Sequence, residues 1–179
     1  MAELTISGLA HPILKDDYAS EWMGIEVLAL DEGHATIRMT LRQEMLNGFG
    51  MAHGGMIFAF GDTAFALACN QTNPTPAEEG NITVASGVDI NFLKPAFRGQ
   101  VLTAVANRRA STGRSGLYDI QIYAADPEAG TPTAAAQASG VAPSGTAPAA
   151  TAPGQLPTDL PAGELVAEFR GRSRTISKK

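Results

Sequence analysis

Between residues 54 and 71 the sequence reads GGMIFAFGDTAFALACNQ, an apolar run that carries a single charge, Asp62. A lone carboxylate on such a segment is costly to bury unless it is hydrogen-bonded, neutralised or set in a cleft. Set in a cleft, it can act as a general base toward water or as a nucleophile on an activated carbonyl; the plainer reading is an Asp that faces a polar gap or bonds a backbone donor. Attack on a carbonyl also needs donors where the oxygen becomes negative, and a helix N-terminus presents unpaired N–H groups and a favourable dipole. Gly54 and Gly55 stand at that start and let an acyl group approach the amides, although such a pair also makes an ordinary loop-to-helix junction. His53 beside them can orient the loop or hydrogen-bond in the site. Asn47, in the loop before, can position water or the reacting carbonyl through its amide, or serve only as a turn residue.

These residues need a scaffold, and the patterning predicts one. The run 54–71 lacks proline until Pro74 and is apolar almost all round, which reads as a buried helix. Residues 10–22 predict a short amphipathic helix with Ile13, Leu14, Tyr18 and Trp22 on one stripe. Residues 24–42 predict a hairpin turning at Asp31-Glu32-Gly33, with Ile25, Val27 and Ala29 sharing a face in its first strand and Ala35, Ile37, Met39 and Leu41 in its second. Residues 43–53 read as an ordered loop. Residues 82–93, 100–110 and 116–124 predict an antiparallel meander, with Val84, Ser86, Val88, Ile90 and Phe92 on one face of the first strand and Tyr118, Ile120 and Ile122 on one face of the third. In the last strand, 165–176, Ala167, Phe169, Gly171, Ser173 and Thr175 face inward, small enough to let a helix come close, while the arginines face solvent. One helix against one face of a six-stranded antiparallel sheet is the α+β solution for this order.

Residues 131–163 hold six prolines, ten alanines, four glycines and one charge, Asp159, and show no period. They read as a flexible insertion in a single domain of 179 residues. Long-loop closure entropy grows slowly with length, so the flanking strands can still pair.

A net charge of −5 and a pI near 5.1 argue against a nucleic-acid surface, despite the basic tail at Arg170, Arg172, Arg174, Lys178 and Lys179. The single cysteine, Cys69, excludes an intrachain disulfide and has no metal-ligand spacing to His11, His34 or His53. The start MAELTISGLAHPILKDDY lacks the features of a secretory signal, and no window approaches a membrane span, so a cytoplasmic protein with no membrane partner is expected. A Gly-x-x-x-x-Gly-Lys loop and a Gly-x-Ser-x-Gly elbow are both missing, which leaves a nucleotide triphosphatase and a serine hydrolase unsupported.

In Asn47, His53-Gly54-Gly55-Met56-Ile57-Phe58 and Asp62-Thr63-Ala64-Phe65-Ala66 the chain resembles the PaaI-type hotdog thioesterases of phenylacetate metabolism. Asp89-Ile90-Asn91-Phe92-Leu93-Lys94-Pro95 through Gly99, Gly113-Arg114-Ser115-Gly116-Leu117-Tyr118-Asp119 and Phe169-Arg170-Gly171-Arg172-Ser173 continue the likeness in order. It spans about 10–130 and 164–176, and the insertion departs from the family's short turn.

The resemblance implies a hotdog fold and hydrolysis of an acyl-CoA, with an aryl-acetyl group such as phenylacetyl as the acyl part. No cofactor is then expected, CoA belonging to the substrate. Asp62, Gly55, Asn47 and His53 become the catalytic candidates, with Gly54 beside them. Ser86 and Asp89, on the strand after the helix, are the two candidates for the further polar group such a family often supplies, and Lys94, Arg98 and Arg114 are cations that can meet CoA phosphates. Phe49, Met51, Phe58 and Phe65 can line an acyl pocket, or simply be core. Asp62 lies seven residues beyond Gly55, ~10 Å along a helix, too far for both to grip one carbonyl. Antiparallel helices from two subunits solve this, so a homodimer is required, with a dimer of dimers left open. Two other readings stay open: a hotdog hydratase or dehydratase, and a non-catalytic acyl-CoA-binding protein.

Overall fold

The alternating segments form strands as expected, and the all-apolar run forms the helix they enclose. The computed structural model describes residues 7–8, 10–75, 79–127 and 161–178. Most of the insertion at 131–163 therefore lies outside the described residues; the chain re-enters at Pro161, just before its last strand.

Among the described residues the strands are β1 (Ser7–Gly8), β2 (Glu26–Asp31), β3 (His34–Thr40), β4 (Asn81–Phe92), β5 (Val101–Thr112), β6 (Ser115–Ala125) and β7 (Glu164–Ser177). They make one sheet in the order β1-β2-β3-β5-β6-β7-β4, antiparallel throughout except for the two-residue β1, which pairs parallel to β2 and was not anticipated. The helices are α1 (Tyr18–Met23) and α2 (Gly54–Cys69). The six expected strands and the long helix thus stand as predicted, and β4 is an edge.

The β2–β3 turn uses Gly33 at φ 75°, a conformation that suits glycine. Ala35, Ile37, Met39 and Leu41 are all buried. In β2 the pairing jumps from Val27 to Ala29, so Leu28 is bulged. Past the bulge Leu30, opposite Ala35, packs on the core, and Ala29 leaves the predicted face.

A second bulge corrects the reading of β4. Ala85 pairs with Ser173 and Gly87 with Arg172, leaving Ser86 extra. The inward set is therefore Thr83 and Ala85 before the bulge and Val88 and Ile90 after it, whereas Val84 lies opposite the outward Arg174. A strict period of two could not show this, because one inserted residue exchanges the faces.

The amphipathic helix expected over 10–22 is two pieces, a 3-10 turn at Pro12–Leu14 and α1, separated by Asp16 at φ 61°. Asp17 accepts from the Ser20 amide at 3.1 Å and starts α1 afresh, a cap that competes with helix continuation. Tyr18 is consequently 73% exposed while Ile13 and Leu14 pack on the core.

Helix α2 lies on the concave face with Ile57, Phe60, Gly61, Ala64, Phe65, Leu67 and Ala68 buried. The small inward residues of β7 do what the pattern implied: a Cβ at Gly171 would stand 2.7 Å from the Phe65 ring. Phe65 packs on Tyr118 and Phe169 at ring-centroid distances of 5.3 and 6.1 Å. Among the described residues no helix is long and apolar enough to cross a membrane.

Candidate active site

Asp62 sits at mid-helix, half-buried. Its carboxylate has no hydrogen-bond or ion-pair partner among the described residues, and burial raises its pKa above the ordinary carboxylate value. Phe58, four residues before, and Cys69, seven after, share its side of α2. The Phe58 ring lies 5.4 Å from that of Phe169 on β7, and the Cys69 thiol bonds Tyr118 and Ser173, a buried setting that pushes its pKa up to about 12. That side of the helix therefore looks toward β7 and the edge strand β4.

Helix α2 runs antiparallel to β4. At one end Gly54 abuts Phe92, whose ring would lie 3.2 Å from a Cβ on the glycine; at the other, the Asn70 side chain accepts from the Thr83 amide and donates to its carbonyl, both at 2.9 Å. Asp62, halfway between Gly54 and Asn70, is level with the bulge at Ala85–Gly87. Bulges recur beside active sites because they break the pairing and re-aim side chains.

At the helix start His53 is the N-cap, and its Nδ1 accepts from the Gly55 amide at 3.0 Å. The Gly55 N–H is thus engaged within the chain, whereas that of Gly54 donates to none of the described residues. Asn47 closes the preceding loop. Its Oδ1 accepts from the Phe49 and Met51 amides at 2.9 and 3.3 Å, which leaves its Nδ2 as the group free to donate. A cleft of about 370 Å³ opens here, lined by Met51, Gly54, Ile57, Phe92, Leu93 and Pro95 among others. Around it Phe49 is 86% exposed, and Phe92, Leu93 and Phe97 are about half exposed.

Asp62 does not line that cleft. It lies eight residues beyond Gly54, ~12 Å along the helix. One chain therefore brings His53, Gly54, Gly55 and Asn47 together and holds Asp62 apart from them. Phe65 is fully buried and Phe58 largely so, which makes both core residues; Met51 lines the cleft, and Phe49 is exposed without lining it.

The other candidates have partners. The Ser86 hydroxyl donates to the Arg172 carbonyl at 2.9 Å, Asp89 pairs with Arg172 at 2.8 Å, and Lys94 pairs with Glu164. Arg98 donates to Gln43. Arg114 donates through Nε to the Thr175 carbonyl, and its Nη groups remain available. It lines a second cavity, of about 290 Å³, at the far end of α2 together with Arg108, Lys178, Cys69 and Tyr118. From sequence Lys178 was noted only as part of the basic tail and Arg108 not at all; they lie 70 residues apart, and no local spacing connects them. Among the described residues no group of His, Cys, Asp and Glu is placed to hold a metal ion.

A single long helix wrapped by an antiparallel sheet, with a carboxylate at its middle facing the open edge, puts the molecule in the class of hotdog-fold enzymes. The family model of the thioesterase superfamily matches residues 49–131. The chain is 42% identical over 113 residues to the acyl-coenzyme A thioesterase PaaI of Escherichia coli K12, covering 63% of this chain and 76% of that one. A putative esterase of Archaeoglobus fulgidus is 32% identical over 108 residues, 60% of this chain and 66% of that protein. The solved structure of the Escherichia coli PaaI protein from the phenylacetic acid degradation operon superposes with a TM-score of 0.65 at 31% identity, over 93% of this chain and 90% of that one. A hypothetical thioesterase protein of Streptococcus pneumoniae solved with coenzyme A shares the fold, with a TM-score of 0.61 at 17% identity over 93% and 98% of the two chains. This chain belongs to the thioesterase superfamily, in its PaaI-type hotdog branch, and is a thioester hydrolase.

Proposed function

We propose that the chain hydrolyses an aryl-acetyl-CoA, phenylacetyl-CoA or a hydroxylated relative, to the free acid and CoA, with Asp62 acting on the thioester carbonyl. The observation that carries this is Asp62 itself: a carboxylate with no partner among the described residues, midway along an apolar helix and facing the sheet's open edge. Poised there, it can take a proton from water or attack the carbonyl carbon directly. The aryl-acetyl preference is supported by the operon of the Escherichia coli relative and by the apolar cleft with Met51, Ile57 and Phe92.

The carbonyl oxygen is assigned to the helix start. With the Gly55 amide held by His53, the Gly54 N–H is the donor that can meet a developing oxyanion, while His53 fixes the terminus and Asn47 offers Nδ2. Gly54 and Asp62 act together only across two chains. Pairing of β4 with its copy about a two-fold axis would set the two α2 helices antiparallel, each Asp62 facing the other's Gly54. The CoA phosphates are assigned to the cavity at the far end of α2, where Arg114 and Lys178 supply charge ~10 Å beyond Asp62 along the helix, beside Arg108, which is paired with Glu32 at 2.8 Å. Lys94 and Asp89, each already in an ion pair, have lesser parts. The setting we assign is the cytoplasm.

Thiol release from phenylacetyl-CoA tests the assignment. Asp62→Asn lowers kcat by about 10²-fold or more with the oligomer intact; undiminished turnover would remove Asp62 from the chemistry.

A further inference from the structure

Asn47 is the only one of the chain's six asparagines that is followed by glycine. Its side-chain carbonyl is folded over the Gly48 peptide by two amide donors, Phe49 N at 2.9 Å and Met51 N at 3.3 Å. This Asx-type turn holds the side-chain amide within the loop, one peptide from the Gly48 nitrogen that follows it in the chain, and the two N–H groups polarise the amide C=O. The Gly48 N–H donates to none of the described residues, the glycine is exposed, and a Cβ built on it would meet nothing within 4 Å. An electrophilic carbon, an adjacent unshielded nitrogen and open access for water therefore coincide in the loop that leads into the catalytic helix.

We propose that Asn47–Gly48 is a spontaneous modification site, where deamidation of Asn47 converts its amide to a carboxylate and switches the hydrolase off. The Gly48 nitrogen attacks Cγ of Asn47, forming an N–C bond; the Gly48 proton leaves with the side-chain nitrogen as ammonia, and a five-membered imide remains. Water then opens the imide at either carbonyl, giving aspartate or its isomer with the backbone routed through the side chain. The sum is amide plus water giving acid plus ammonia, with no oxidant or reductant. An aspartate still accepts the two amides, so the loop persists. It has lost the Nδ2 donor, however, and adds negative charge beside the helix start where the thioester oxygen becomes negative. The isoaspartate adds a backbone methylene and moves His53 and Gly54. The inactivation rests on the part given to Asn47 above; the deamidation does not.

The full-length protein is held in warm, mildly alkaline buffer and, in parallel, mildly acidic buffer, then sampled for peptide mass mapping and thiol release. The Asn47 peptide is expected to gain one mass unit and release ammonia, faster at alkaline pH, while the other five asparagines stay amidated and turnover falls in proportion. Gly48→Ala, which the open space around Gly48 admits, slows the mass gain and the activity loss together, and Asn47→Asp starts with kcat about 10²-fold down at an unchanged melting temperature. An Asn47 peptide that changes no faster than the other five overturns the proposal. Complete conversion with full turnover overturns the inactivation and the role of Asn47, and leaves Asp62, which Asp62→Asn tests separately.

Discussion

At the scale of single residues, partial burial without a partner among the described residues is what sets Asp62 apart. Its raised pKa means that the folded state holds a proton more tightly than the unfolded chain. Stability is thus fully present at pH below the ordinary carboxylate value and declines as pH rises through the folded pKa. If the carboxylate is the base or nucleophile, kcat follows its ionised fraction. The acid limb of the pH profile is then expected above the ordinary Asp value of about 3.9, and Asp62→Asn should melt higher than the parent at neutral pH but not in acid. Calorimetry across pH beside a kcat profile checks both, and a destabilised Asp62→Asn at neutral pH contradicts the reading of an uncompensated charge. His11 has the opposite sign. Buried between Ile13 N, bonded to its Nδ1, and Asn70 O, bonded to its Nε2, it is held below the ordinary histidine value by burial, which outweighs the bond to Asn70. The unfolded chain takes the proton first, so stability falls as pH drops below about 6.5. His11→Ala should cost about 1–3 kcal/mol at neutral pH and flatten that acid decline, as urea titrations at several pH values would show.

At the scale of elements, α2 and β7 meet through glycine. A Cβ at Gly171 would stand 2.7 Å from two atoms of the Phe65 ring, and Phe65 is wedged among Tyr118 and Phe169. Gly171→Ala is expected to lose about 1–3 kcal/mol in denaturant unfolding because the ring has nowhere to move. An unchanged midpoint would mean the helix shifts freely on the sheet. The bulge at Ser86 belongs to this scale too. It lets Thr83 and Ala85 on one side, and Val88 and Ile90 on the other, all face α2 along one strand.

At the scale of the whole molecule, the amide of Gly54 and the carboxylate of Asp62 stand apart in each chain, as two halves of the site we propose. Mixing tests whether they combine across chains. Gly54→Pro removes the amide N–H at a first helical position whose backbone suits proline, with the Phe92 ring, 3.2 Å from the added Cβ, having to give by a few tenths of an ångström, and alone it should abolish turnover, as should Asp62→Asn. Refolded together in equal amounts, the two are expected to recover about a quarter of wild-type thiol release, half the dimers being mixed and each of those holding one intact site. No recovery would place both groups in one chain's site or exclude the exchange.

What the amino-acid sequence determined by itself was whatever depends on local periodicity and local chemistry. The period of two in His34–Thr40, the turn at Gly33, the small inward residues of Glu164–Ser177 and the apolar run with one charge at Asp62 all carried through to the fold, because each is decided by which neighbours i±2 or i±4 share a face. The tertiary structure decided what depends on groups distant in the chain. The bulges at Leu28 and Ser86 arise from how partner strands register, and a period read along one strand carries no information about its partner. The break at Asp16 came from a competition between capping and helix continuation that a stripe count cannot weigh. The engagement of the Gly55 amide by His53, and the meeting of Arg108, Arg114 and Lys178 at one cavity, likewise required coordinates. Asp62 was legible because its strangeness is local: one charge on an apolar helix. That it faces an open edge strand, and has no partner among the described residues there, is a property of how the sheet closes around the helix.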